Sequence, residues 1–139
     1  MKMPKKELDL RPLINDFKTQ RKALPAKLGN TAVKFFQDNF RREGFLDNSI
    51  NKWKRRKYKP RGQSKGQLQV SGRLRQSIKR LTTTFGRIVI GTRGVPYAEV
   101  HNEGLGVMPK REFVGDSAKL EKLLQQRISK EIAIFAKRL

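Results

Sequence analysis

The chain is 139 residues long, which suits one domain that buries roughly two-thirds of the surface of its unfolded state. It has no cysteine and one histidine, which excludes a disulfide framework and thiolate chemistry and argues against a zinc site built from several histidines. No apolar run approaches the roughly 20 residues that span a bilayer, so we expect a soluble protein without a membrane segment or an export signal.

Positive charge is the most unusual bulk property, because 33 Lys and Arg stand against 12 Asp and Glu, a formal net charge of +21. Between Asp47 and Glu99 there is no acidic residue, while 14 basic residues lie from Lys52 to Arg93. Such an excess repels itself unless an anionic partner is near. The composition therefore favours nucleic acid, an acidic protein face or an anionic membrane surface as partner, without choosing among them.

The N-terminal part of the chain is predicted to divide into two pieces. Residues 1–25 are rich in charge and contain three prolines, which favours a flexible arm. Over residues 26–43, apolar side chains recur at spacings of three and four, which predicts a helix with one buried face, ended by Gly44. A single domain over residues 26–139 is expected to follow the arm.

A basic loop is predicted over residues 48–67, where two aromatic residues alternate with Lys and Arg before proline and glycine interrupt regular structure. One interpretation is docking onto a protein, or onto nucleic acid through phosphate pairing and base stacking. The alternative is a solvated loop whose Trp53 packs back onto the core or onto a neighbouring subunit. The candidate docking residues of the loop and of later segments are Trp53, Lys54, Arg55, Arg56, Lys57, Tyr58, Arg73, Arg75 and Arg111.

Two short elements are predicted next. The segment "LQVSGRLRQSI" predicts a two-turn helix with Ser71 as its N-cap and with Leu74 and Ile78 on one buried face. Alternating side chains in "KRLTTTFGRIVIGT" predict a β-hairpin that turns near Phe85 and Gly86.

Beyond the hairpin, Gly91 is expected to end the second strand, and a short helix is predicted over Tyr97 to Glu103, closed by Gly104. A strand is then predicted over residues 111–114. In this strand Phe113 points into the core, Pro109 ends the sheet pairing before it, and Arg111 faces outwards to a carboxylate or a neighbour. These three residues are therefore expected to shape the edge of the sheet.

A final amphipathic helix is predicted after an N-cap at Asp116 or Ser117. Its apolar stripe consists of Leu120, Leu123, Leu124, Ile128, Ile132, Phe135 and Leu139. The order of elements predicts an α+β fold, with a small antiparallel β-sheet packed by a long N-terminal helix and a long C-terminal helix, and with an exposed basic loop.

His101, in "YAEVHNEG", is the candidate for acid–base catalysis, with Glu99 and Glu103 close in sequence. A lone histidine on a short helix is more often a hydrogen-bonded structural residue, and two carboxylates without a second ligand cluster do not indicate a metal site. The chain has neither a G-x-S-x-G elbow nor a P-loop. We therefore expect a protein that is not an enzyme and that has no metal and no cofactor.

Trp53 followed by "LQVSGRLRQSI", "IVIGT", "PYAEVHNEG" and "MPKREFVG" resembles the phage virion morphogenesis family, the tail completion and head-to-tail joining proteins of Mu-like and related tailed phages. The similarity runs from Trp53 to the end of the last helix, and the chain departs from the family in its very basic stretch over residues 52–61. The motif residues are Ser71, Gly72, Leu74, Gly91, Tyr97, His101, Gly104, Pro109 and Phe113. We interpret them as scaffold, with His101 holding a backbone or carboxylate partner.

The resemblance implies a structural protein of the virion that acts in tail completion or head-to-tail joining as a ring of copies, without catalysis. Its partners would be neck, tail-tube or tail terminator subunits, with DNA as a further contact and no membrane, and its location would be the virion and the host bacterial cytoplasm during assembly. The alternative is a stand-alone basic nucleic-acid-binding protein. That function would require the basic loop and the helix with Arg73 and Arg75 to form one continuous basic surface.

Overall fold

The structure is a computed structural model that describes residue 6 and residues 9–56, 72–84 and 86–138, residue 13 by its backbone alone. Its elements are α1 (Arg11–Arg42), β1 (Gly44–Leu46), β2 (Ile50–Lys52), α2 (Arg73–Gln76), β3 (Ile78–Thr84), β4 (Arg87–Thr92), α3 (Ala98–Glu103) and α4 (Ala118–Ala136). The α+β class is as predicted. In the described part of the chain the strands form two separate antiparallel pairs, β1 with β2 and β3 with β4, rather than one small sheet.

Helix α1 begins at Arg11 and not at Ala26, so it runs across the predicted boundary between arm and domain. Its first half packs on the end of α4, where the rings of Phe17 and Phe135 meet edge-on with their centroids 5.6 Å apart. Nearby, Arg138 donates a hydrogen bond to Asp16 at 3.1 Å. These contacts stabilise a segment whose charge and prolines favoured an arm, since tertiary packing outweighs local propensity.

The C-terminus of α1 also differs from the prediction. Glu43 adopts the left-handed conformation, with φ of 50°, and its N–H donates to the carbonyls of Asn39 and Phe40. Gly44 is instead the first residue of β1, where a Cβ would lie 2.8 Å from the carbonyl oxygen of Asn51. The glycine therefore permits close pairing of β1 and β2.

The hydrophobic core lies against the second half of α1. Phe40 is fully buried at its centre, with its ring centroid 5.5 Å from Trp53 and 5.3 Å from Phe113. The other buried apolar residues are Ala32, Phe35, Phe36, Phe45, Leu74, Ile78, Val95, Ala98 and Leu120. The core thus joins α1 to both hairpins, to α3 and to the start of α4.

The short helix before the hairpin is a single turn. Its N-cap is Gly72, with φ of +71°, and the predicted cap Ser71 lies outside the described residues. Leu74 and Ile78 are both buried as predicted, but Ile78 is the first residue of β3 and not a second turn of helix. Ser77 is the C-cap of this helix, and its hydroxyl donates to the carbonyl of Leu74 at 2.6 Å.

The β3–β4 hairpin is confirmed, with Ile78 opposite Thr92 at its base; Phe85, at the predicted turn, lies outside the described residues. Gly91 does not end β4, which continues to Thr92. A Cβ at Gly91 would lie 2.8 Å from a methyl carbon of Leu81, so this glycine leaves room for the leucine across the pair.

The two C-terminal helices agree with the prediction, but the strand predicted between them is not present among the described residues. Helix α3 is closed by Gly104, with φ of 68°, and Ser117 caps α4 by accepting from the N–H of Leu120. Residues 111–114 form no strand. The apolar stripe of α4 is buried at Leu120, whereas Ile132 is 60 % exposed and Leu139 lies beyond the described residues.

Candidate partner-docking site

Asn102 on α3 takes the place of a strand partner for residues 111–114. Its Oδ1 accepts from the N–H of Phe113 at 2.8 Å and from that of Val114 at 3.0 Å, and its Nδ2 donates to the carbonyl of Val114 at 3.1 Å. One side chain therefore satisfies three backbone groups of a segment that belongs to no sheet. The prediction missed Asn102, and the only signal was an asparagine in the turn before the Gly104 cap.

Asn39 fixes the same segment from the other side. It is fully buried in α1, and its Nδ2 donates to the carbonyl of Phe113 at 3.0 Å while its Oδ1 accepts from the N–H of Leu46 at 3.2 Å. The two amides therefore hold Phe113 between α1 and α3. As predicted, the Phe113 side chain points into the core, where it is 1 % exposed.

Trp53 is buried, 6 % exposed, which corrects its assignment as a docking residue. Its backbone N–H donates to the carbonyl of Glu43 at 2.8 Å, and its indole Nε1 donates to the carbonyl of Glu112 at 2.7 Å. The indole packs edge-on against Phe40. Trp53 thus packs onto the core, as the alternative interpretation of the loop had it.

The prediction for Arg111 is also wrong, because its side chain does not face outwards to a carboxylate or a neighbour. It is 7 % exposed, and its Nε donates to the carbonyl of Lys54 at 3.0 Å. Burial lowers the pKa of Arg111, and the charge of Arg56 lowers it further. The segment before Arg111 is not paired in a sheet, so the predicted role of Pro109 in ending sheet pairing does not apply.

The hydrogen bonds made by Trp53 and by the Arg111 guanidinium form what we call the loop clamp: Trp53 N–H to Glu43, Trp53 Nε1 to Glu112, and Arg111 Nε to Lys54. The clamp fixes the backbone at residues 53 and 54. Two of its members, Arg111 and Glu112, come directly before Phe113 and Val114, which are held by Asn39 and Asn102. The basic loop therefore leaves the core from a fixed point.

His101 does not hold a partner through its buried ring nitrogen. Within the described residues, Nδ1 has no hydrogen-bond partner, whereas the backbone carbonyl of His101 accepts from the N–H of Arg111 at 2.8 Å. Burial lowers the pKa of His101, and the charge of Arg111 adds to this effect. Both effects favour the neutral imidazole, which packs edge-on against Tyr97 with the ring centroids 6.0 Å apart.

The other candidate docking residues fall into two places. Lys54 and Arg55 are exposed and Arg56 is half-buried just beyond the clamp, while Lys57 and Tyr58 lie outside the described residues. The guanidinium of Arg73 donates to the carbonyl of Gly94 at 2.9 Å, so it lies against the turn after β4. Arg75 is half-buried, and its carbonyl accepts from Gln37.

The described part of the chain contains no group of three or more His, Cys, Asp or Glu side chains that could hold a metal ion. None of its helices is both long enough and apolar enough to cross a membrane. Comparison with protein-family models, with curated proteins and with solved structures gave no match.

Proposed function

We propose that the protein is a structural subunit of a tailed-phage or prophage virion, active in tail completion or head-to-tail joining. It acts by assembling into a ring of copies that contacts neck, tail-tube or tail terminator subunits, and not by catalysis. The proposal begins from the sequence resemblance of "PYAEVHNEG" and "MPKREFVG" to the virion morphogenesis family.

The loop clamp is the observation that carries the proposal. The second motif segment supplies Arg111 and the Glu112 carbonyl, which hold Lys54 and Trp53 at the root of the basic loop. A scaffold of this kind presents a strongly cationic segment to a partner from a rigid base, which lowers the ordering cost of binding. An acidic subunit of the neck or tail is a fitting partner, since complementary charge accelerates encounter and fixes orientation.

A ring requires each subunit to offer two different surfaces. The root of the basic loop, with the exposed Lys54 and Arg55, is the first. The second is the surface where α1 and α4 expose apolar side chains, including half-exposed Phe17 and the more exposed Ile132. Exposed apolar surface of this kind is typical of contacts between subunits.

Electron microscopy of phage lysates tests the proposal. Deleting the gene from the phage or prophage that encodes it should give filled heads beside separate or overlong tails, and the wild-type gene should restore whole particles. Complementation with Lys54→Gln/Arg55→Gln should fail although the variant folds. A control variant, Lys119→Gln/Lys122→Gln, removes two exposed charges from α4 and should restore particles. Intact infectious particles after the deletion would contradict the proposal.

A further inference from the structure

A second cationic site lies away from the loop clamp, in a cleft between the first half of α1 and the end of β3. The cleft has a volume of about 400 Å³. It is lined by Lys18, Arg21, Lys22, Pro25, Thr83 and Thr84. Among the described residues, the lining therefore offers three cations and two hydroxyl groups and contains no carboxylate.

The spacing on α1 and the approach of the hairpin create this cleft. Arg21 and Lys22 lie three and four residues after Lys18, so all three cations lie on one face of the helix. The hairpin crosses the helix at Gly29, where a Cβ would lie 2.5 Å from Cδ of Arg80. This glycine lets β3 pack close to α1.

The acidic residues of the neighbouring helix faces are paired with other cations. Asp16 binds Arg138 at 3.1 Å, and Glu131 binds Lys27 at 3.0 Å. Among the described residues, no carboxylate lies within ion-pair distance of Lys18 or Lys22. Like charges one helical turn apart repel each other, so an anion bound between the two lysines would stabilise this arrangement.

The donors in the cleft match a phosphate group. Ammonium and guanidinium groups make charge-assisted hydrogen bonds to phosphate oxygens, and a threonine hydroxyl can add a neutral one. Thr83 is exposed, whereas the hydroxyl of Thr84 donates to the carbonyl of Arg87 at 3.1 Å. We therefore regard Thr83 as the hydroxyl that reaches a ligand.

The charge around the cleft favours a long polyanion over a single small anion. The same hairpin exposes Lys79, Arg80 and Arg87, and no acidic residue occurs in it. A chain of regularly spaced phosphates can contact several of these cations at once and releases counterions as it does so. We propose that the cleft binds the phosphodiester backbone of a nucleic acid. This inference does not depend on the proposed virion role, and a failure of one leaves the other standing.

Fluorescence anisotropy with a labelled 20-base-pair DNA duplex and the matching RNA duplex tests the inference. Lys18→Gln/Lys22→Gln should weaken binding of both duplexes about tenfold near 0.1 M salt, and the slope of log K against log salt should become shallower by about two. Both duplexes are expected to respond because the site contacts phosphates, which they share. Thr83→Val should weaken binding a few-fold with the slope unchanged.

The control is Lys119→Gln/Lys122→Gln, which removes the same charge from the start of α4 and should change affinity less than twofold. Equal losses in the two double variants, or no loss in either, would overturn the cleft as the site. Absence of binding by the wild-type protein at low salt would do the same. Competition by poly-glutamate as strong as that by unlabelled duplex, at equal charge concentration, would show that the cleft takes acidic polypeptides instead.

Discussion

The backbone N–H of Phe113 donates a 2.8 Å hydrogen bond to Oδ1 of Asn102, and this bond ties a fully buried aromatic residue to a six-residue helix. The same oxygen also accepts from the N–H of Val114. A side chain thus performs the pairing that a neighbouring strand would otherwise perform. The position of everything attached to this segment, including the loop clamp, depends on it.

Asn102→Ala should therefore be strongly destabilising. It leaves two N–H groups and one carbonyl without their partner, which we expect to lower the free energy of unfolding by about 2–3 kcal/mol. Urea denaturation followed by far-UV circular dichroism measures the change. Gln125→Ala, at an exposed position of α4, is the control and should stay within about 0.5 kcal/mol of wild type. A loss for Asn102→Ala no larger than the control would refute the role given to this side chain.

Trp53→Phe should reduce stability even though an aromatic ring remains in the core. The carbonyl of Glu112 loses the indole N–H, and we expect a cost of about 2 kcal/mol. Tyr97→Phe removes a polar group from a residue that is 40 % exposed and should have little effect. If Trp53→Phe unfolds at the same urea concentration as wild type, the indole hydrogen bond contributes nothing to the clamp.

Gly104→Ala should be worse than Gly94→Ala, although both glycines have positive φ. A Cβ at Gly104 would lie within 2.8 Å of backbone atoms of Lys110, whereas one at Gly94 would meet nothing within 4 Å. We expect about 1 kcal/mol for the left-handed conformation alone at Gly94, and about 2–4 kcal/mol where the steric contact is added. Equal losses in thermal melts of the two variants would show that Lys110 moves aside.

His101 should make stability fall in mild acid. Burial and Arg111 hold the pKa of this imidazole below its ordinary value of about 6.5, so the unfolded state binds a proton more readily than the folded state. The contribution of His101 to the free energy of unfolding is complete above pH 6.5. It is lost as the pH falls from there through the lowered pKa. Melting temperatures of wild type and His101→Gln between pH 7.5 and 5 should converge as the pH falls. Parallel curves would mean that His101 titrates alike in both states.

The sequence predicted those elements whose signals are local. Side chains that alternate around Thr83 predicted the hairpin, Gly104 predicted the end of α3, and Ser117 predicted the start of α4. Each signal acts within a few residues, and all three elements were confirmed. The predicted start of α1 was wrong because Phe17 packs on Phe135 of α4 and Asp16 binds Arg138 just beyond it, and both partners are more than a hundred residues away in the chain. The prediction of a strand at 111–114 was wrong because this segment pairs with the side chain of Asn102 and not with another strand.

The candidate site shows the same division. Local patterning marked the basic residues at 54–56, and those at 54 and 55 are exposed. Trp53 and Arg111 were misassigned because an aromatic ring and a guanidinium within a basic sequence suggest binding, while their actual partners are backbone carbonyls. Asn39 and Asn102 carry no charge or spacing that distinguishes them from surface amides. Their role depends on which backbone groups the fold leaves unpaired, and that is a property of the folded chain.

Helix α1 changes character at Pro25. In its described part, every buried residue lies at or beyond this proline, and the residues before it are held by the end of α4. We therefore expect two classes of amide hydrogen exchange along one continuous helix: slow exchange, limited by global unfolding, around Phe36 and Phe40, and faster exchange through local opening before Pro25. The cationic cleft belongs to the second class, so a polyanion bound there would slow exchange in the first half of α1 and leave the core amides unchanged.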